Sequence, residues 1–221
     1  MIPLKDSRPS HIFPFWTYAI IAINIYVFYL QLTSPNPDLF IAQYALIPEM
    51  VNFNNYSSLL PFITSQFLHG GLMHIISNMW FLYIFGDNVE ERTGFLLFPL
   101  IYLGSGIVGA LAQFVFMPDS AIPMLGASGA IAGVLGAYFV WFKNHTVKSL
   151  VPILGFFTVL DIPAYFILFY WIATQVIAGV GSIGSDIGGV AYFAHIGGFV
   201  TGWILAKLLP FNRHHYEMEI V

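Results

Sequence analysis

Six stretches of this chain are almost wholly apolar: 15–32, 72–87, 95–116, 126–142, 162–180 and 190–209. A helix needs about 20 apolar residues to cross the hydrocarbon of a bilayer, so each stretch predicts a spanning helix. The second and fourth are short, and the fourth is rich in small residues, which suits helices enclosed in a bundle. A further apolar region, 147–161 ("VKSLVPILGFFTVLD"), could form a seventh span. Pro152 and Gly155 disfavour a straight helix there, and at about 15 residues it reads better as an interfacial or re-entrant piece. Segment 33–71 mixes apolar and small polar residues ("LFIAQYALIPEM", "YSSLLPFITSQFLHGG"), which predicts a long loop seated partly in the outer leaflet. "YVFYLQLTSPNP" offers no small-residue cleavage site, so the first span is expected to be uncleaved.

Composition strengthens the membrane reading. The chain is 58% hydrophobic and 8% charged, against about a quarter charged in soluble domains. It has no cysteine, which removes disulfide and thiol chemistry, and a formal net charge of -4 with no basic run, which argues against nucleic acid. Charge placement sets the topology. Lys5, Arg8, Arg92, Lys143, Lys148, Lys207 and Arg213 all fall on one side of a six-span arrangement. The positive-inside rule makes that side cytoplasmic, and a seventh span would throw Lys207 and Arg213 across. The expectation is one all-α domain of six spans over 15–209, a cytoplasmic tail at 1–14, an outer loop at 33–71 and a cytoplasmic tail at 210–221.

Polar side chains inside a span are functional candidates by default. His74 and Asn78 open the second span, four apart and therefore on one helix face. Ser128 opens the fourth and His195 the sixth. All three spans run from outside to inside, so these four residues are expected at one depth below the outer surface. Ser128, Ala132 and Gly136 form a small stripe, and Gly198 and Gly202 a GxxxG; small faces let backbones approach closely. Packed together, they would bring Ser128 within reach of His195, the minimum for a base-activated serine nucleophile. Gly126, Ala127 and Gly129 leave that hydroxyl uncovered. Structural readings stand beside these. GxxxG faces serve ordinary packing, a span serine bonds its own helix backbone, and His74 with Asn78 could be an interhelical clasp. His69 reads as structural or interfacial; His11, His145, His214 and His215 as solvated; and Asp87, Glu90, Glu91 and Arg92 as a charged cytoplasmic turn. Neither Asp161 nor Asp186 reads as a third member of a triad.

Three motifs then carry a resemblance. "GASGAIAGVLGAY" resembles the G-x-S-G nucleophile motif of the rhomboid intramembrane serine proteases, "AHIGGFVTG" their general-base helix, and "HGGLMHIISNM" their H-x-x-x-N motif. The match runs from about Leu59 to Leu209, in the family's order and spacing. The resemblance implies a six-helix rhomboid-like bundle and a serine endopeptidase without cofactor or metal. Ser128 would be the nucleophile and His195 the base, a dyad held by packing without a carboxylate. His74, Asn78 and the Ser128 backbone N–H would form the oxyanion hole, while Gly126 and Gly129 shape the turn and Gly198 and Gly202 let the sixth helix pack on the fourth. Substrates would be single-pass membrane proteins, cut in or beside the bilayer from a wet cavity open to the outside, in a bacterial cytoplasmic membrane. Residues 33–71 lack the Trp-Arg pair that some members carry there. Two other classes stay open: a non-catalytic membrane chaperone or scaffold on the same fold, and a small transporter. Transporters usually carry internal symmetry, and none is visible here.

Overall fold

The structure, a computed structural model, describes residues 1–8, 10–153, 155–184 and 189–209. The expected C-terminal tail at 210–221, with Arg213, His214 and His215, lies outside the described residues, as does Asp186. Most of the chain is helical. α1 (Phe15–Thr33) starts after Pro14 with no cap from its own flanking side chains. The N–H groups of a helix's first turn have no intrahelical acceptor, and here a carboxylate from elsewhere takes two of them. Trp16 N–H donates to Glu90 Oε1 and Thr17 N–H to Glu90 Oε2, both at 2.8 Å, and the Thr17 hydroxyl donates to Oε2 as well. Glu90 is buried, and a negative charge there also complements the helix dipole. This corrects the charged turn expected over 87–92: those residues continue a helix, and Glu90 is a buried cap rather than a solvated group.

That helix, α4 (Leu72–Phe116), has 45 residues, about 68 Å at 1.5 Å per residue and more than twice the thickness of the hydrocarbon. Gly94 breaks it, with φ 76° and ψ -180°, a left-handed backbone that glycine adopts at least strain. The two arms, 72–93 and 95–116, run antiparallel. Along α5 (Ser128–Phe142), the first arm descends from His74 near Gly126 to Phe85, whose ring meets Tyr138. The second arm climbs back, from Ser105 beside Gly133 to Gly109 beside Ala194 of α7 (Tyr192–Leu208). The helix over the expected second span, 72–87, therefore extends to 93. α1, α4 and α6 (Ala164–Ser182) are long and apolar enough to cross a membrane, whereas α5 and α7 have 15 and 17 residues.

α5 is the axis of the core: every residue from Gly129 to Tyr138 is buried. It is closed in by both arms of α4 and by α7. The approach of α7 is close because a Cβ at Gly198 would strike the Gly129 carbonyl oxygen, and one at Gly202 the Gly133 carbonyl oxygen. The α5 face that meets α7 is thus Gly129–Gly133–Gly136, which shares Gly136 with the stripe read in the sequence and has Gly129 and Gly133 in place of Ser128 and Ala132, with Ala132 touching at its edge.

The chain is not all-α. β1 (Ile2–Asp6), β2 (Thr146–Ile153) and β3 (Phe156–Pro163) form an antiparallel sheet in the order β1-β2-β3, with Asp6 opposite Val147, and Lys148 opposite Asp161. The sheet corrects two expectations: 147–161 is a hairpin rather than an interfacial or re-entrant piece, and 1–14 is not a simple tail. The β-branched and aromatic residues of 146–163 favour strands, and Gly155, at φ 87°, permits the reversal between them. The sheet is tied to the helices through Asp6. Its Oδ2 accepts from the Tyr138 hydroxyl at 2.6 Å and from Asn88 Nδ2 at 2.7 Å. Burial holds the Asp6 carboxyl above its usual pKa, while the bond from Tyr138 opposes that shift.

Between α1 and α4 the long loop folds through α2 (Pro37–Tyr44), a short helix α3 (Pro61–Thr64) and three single 3₁₀ turns. Leu46 and Phe62 from this loop are buried against Ala110 of α4. Two backbone bonds then tie the loop to the segment before α5: Leu46 N–H to the Met124 carbonyl at 3.0 Å, and Met124 N–H to the Leu46 carbonyl at 2.7 Å.

Candidate active site

Ser128 is the first residue of α5, so its backbone N–H and that of Gly129 lie among the unpaired donors of a helix N-terminus. The turn leading to it is held from outside, by Gly126 N–H donating to the Ser65 carbonyl at 2.9 Å. Gly126 has φ 127°, a region L side chains rarely adopt. A Cβ there would also stand 2.8 Å from the His74 ring. Only glycine suits both constraints.

From α7, the buried His195 presents its ring to Ser128, with Nε2 2.8 Å from Oγ. The other ring nitrogen, Nδ1, lies 2.8 Å from Gln175 Oε1 on α6. The amide orientation of Gln175 follows from its second contact, because Nε2 donates to the Trp171 carbonyl at 3.3 Å and to Thr174 Oγ1 at 3.2 Å. Turning the amide over would set its oxygen against a carbonyl oxygen, two acceptors with no proton between them. Oε1 therefore faces His195, Nδ1 carries the ring proton, and Nε2 is left as the acceptor for the Ser128 hydroxyl. The Trp171 ring lies 5.6 Å from the imidazole, tilted by 33°. His195 is thus oriented by a side-chain amide as well as by packing, which corrects the picture of a ring held by packing alone.

Opposite stand His74 and Asn78 on the first arm of α4. Gly70 N–H donates to His74 Nδ1 at 3.3 Å, so the ring proton resides on Nε2, the nitrogen that faces Gly126. Asn78 is buried and its Nδ2 has no hydrogen-bond partner among the described residues. A buried donor left unpaired is disfavoured by about 1–3 kcal/mol, and Asn78 is one of the residues that line the cavity in front of Ser128. Behind His74 the fully buried His69 ring stands 5.2 Å away. Burial, then the neighbouring His74, brings the His69 pKa down to about 4, so it is neutral at physiological pH.

His74, Asn78, Ser128 and His195 line one cavity of about 550 Å³, walled by Phe81, Met124, Leu125, Ile131, Leu135 and Trp171. The wall is apolar, the polar atoms converge on Ser128, and the volume lies within the usual range for ligand sites. Of the glycines singled out in the sequence, Gly126 lies against the His74 ring, while Gly129, Gly198 and Gly202 lie in the α5–α7 contact. Asp161 sits in β3, paired across the sheet with Lys148, remote from this cluster in the fold. Sequence reasoning missed Gln175 and Trp171. Gln175 had left a signal: an amide in an otherwise apolar span, which by default marks function.

Comparison with known proteins agrees with the motifs. The model of the rhomboid domain matches residues 56–210. A rhomboid protease of Bacillus subtilis, GluP, is 35% identical over 188 residues, covering 83% of this chain and 35% of its own length. RHOMBOID-like protein 6, mitochondrial, of Arabidopsis thaliana is 33% identical over 150 residues, 66% of this chain and 42% of its own. Rhomboid-like protein 11, chloroplastic, of the same plant is 31% identical over 168 residues, 74% and 57%. This chain therefore spans between about a third and three fifths of the length of these relatives.

Proposed function

This chain belongs to the rhomboid family, and on that premise we propose that it is an intramembrane serine endopeptidase whose nucleophile is Ser128 and whose general base is His195. The observation that carries the reading is the 2.8 Å contact between Ser128 Oγ and His195 Nε2, two residues that line the same cavity. A candidate base must stand within hydrogen-bond reach of the proton it removes, and this one does.

In this reading His195 Nε2 takes the hydroxyl proton as Ser128 Oγ attacks the scissile carbonyl of a single-pass membrane protein. The carbonyl oxygen becomes an oxyanion and receives hydrogen bonds from His74 Nε2–H, Asn78 Nδ2 and the Ser128 backbone N–H. His195 returns its proton to the departing amine, and the acyl group remains on Ser128. Water entering the cavity, deprotonated by His195, then releases it. The Asn78 amide, unpaired among the described residues, supports the oxyanion assignment, since a donor free in the resting protein is available to an oxygen on which negative charge develops.

The proposed topology has six spans, with the two arms of α4 as the second and third. All seven Lys and Arg residues then face one side, which the positive-inside rule makes cytoplasmic, and the cavity opens to the other. A bacterial cytoplasmic membrane is the setting proposed. A fluorophosphonate probe tests the chemistry. Wild-type protein in bilayers is expected to be labelled at Ser128 and to cut a single-pass reporter, and Ser128→Ala to do neither while inserting normally. Cleavage by Ser128→Ala at the wild-type rate would end the assignment of Ser128 as nucleophile, and a wild type that neither labels nor cleaves would leave the scaffold and transporter classes.

A further inference from the structure

We infer that Gln175 is a positioning residue of the active site, acting through His195 as the third member of a Ser128–His195–Gln175 relay; the inference rests on the protease reading above. Three observations meet at this side chain. Its Oε1 stands 2.8 Å from His195 Nδ1, on the side of the ring opposite Ser128. Its Nε2 is engaged by the Trp171 carbonyl and Thr174 Oγ1, so the amide cannot turn over without losing these bonds. Trp171, one helical turn earlier, lies beside the same imidazole.

The chemistry follows from the tautomer. A neutral imidazole has one donor and one acceptor nitrogen, and the hydrogen bond at one decides the role of the other. Gln175 Oε1 can only accept, so it selects the form with the proton on Nδ1 and leaves the Nε2 lone pair aimed at the serine hydroxyl. Without it both tautomers are populated, and the one with the proton on Nε2 cannot receive the serine proton. The ring also becomes free to rotate. Gln175 differs from an aspartate in this position because it has no charge: it orients the ring without strongly stabilising the imidazolium. The titratable neighbours facing the ring among the described residues are Ser128 on α5 and His74 on α4, and α6 contributes the neutral Gln175 and Trp171.

The test uses the full chain in bilayers with a fluorophosphonate probe, separating the maximal inactivation rate from probe affinity across a pH series. Gln175→Leu is expected to lower the maximal rate about 10- to 100-fold with affinity unchanged within about twofold, in keeping with the contribution of an acid–base element. Gln175→Glu places a carboxylate against Nδ1, favours the charged ring, and is expected to retain labelling while moving its acid limb up by about one pH unit or more. Gln175→Met, which keeps the volume of the side chain, stands in for the Leu variant if that protein fails to insert. A merely structural role would lower thermal stability and leave the rate per folded molecule and the acid limb where they are. That result, or an acid limb unmoved in Gln175→Glu, overturns the inference. Absence of Ser128 labelling in the wild type would instead remove the protease reading on which it stands.

Discussion

Asn78 and Gly126 show how single residues divide the work around Ser128. Asn78 lines the cavity and its amide nitrogen is unpaired among the described residues, so its removal should be felt in the transition state rather than in the fold. Asn78→Ala is expected to lower turnover about 10- to 1000-fold, or roughly 1.4–4 kcal/mol, while Ser128 still reacts slowly with fluorophosphonate. Lost thermal stability with intact turnover per folded molecule would instead mark a structural clasp. Gly126 acts earlier, in shaping the turn. Gly126→Ala imposes a left-handed backbone on an L residue, disfavoured by about 1–2 kcal/mol, and presses a methyl group on the His74 ring. Labelling of the purified variant is expected to fall at least about tenfold. His74, Asn78, Ser128 and His195 were legible because polar atoms in an apolar run are conspicuous and their spans point one way. Gln175 was harder to read, since its sequence neighbours Thr174 and Trp171 bond the helix's own backbone or each other, and its partner is 20 residues away on the next helix.

At the scale of elements, two contacts decide how helices meet. α7 lies on α5 with no room for side chains between Gly202 and the Gly133 backbone. Gly202→Leu is expected to reduce stability by about 1–3 kcal/mol or more and to weaken labelling by parting Ser128 from His195. Val200→Leu, at a position 46% exposed, should change little; equal small effects of both would show that this face is not the close contact. The second contact is the carboxylate that caps α1. Glu90→Gln leaves one oxygen where two served Trp16 and Thr17, and is expected to lower the unfolding free energy by about 1–2 kcal/mol, read by thermal denaturation, without altering labelling per folded molecule. Hydropathy placed the helices well but not their ends. The charged residues 87–92 looked like a turn because intramembrane charges are rare, whereas here Glu90 is neutralised by the N-terminus of α1 and Arg8 lies 3.5 Å from Glu91. The sheet escaped for a different reason: short apolar runs with Pro and Gly look alike as interfacial helix or hairpin until their partner strand is known, and that partner, β1, is some 140 residues away.

For the whole molecule, the lysine and arginine pattern makes a topological prediction. Reporters fused to each terminus should both be active on the cytoplasmic side; a C-terminal fusion active only on the opposite side would overturn the six-span arrangement. The break at Gly94 fits that arrangement, since one 45-residue helix is too long for a bilayer and two antiparallel arms are not. The sequence by itself determined the membrane class, the family and the four polar residues at the cavity, because these depend on local composition and short spacing. Tertiary structure alone decided which ring nitrogen of His195 faces Ser128, which carboxylate closes α1, and that 146–163 pairs with the first residues of the chain. Each of these is a hydrogen bond between groups far apart in sequence. Such a bond leaves no periodic trace in the chain, because its partners are chosen by the packing of the helices and not by the residues beside them.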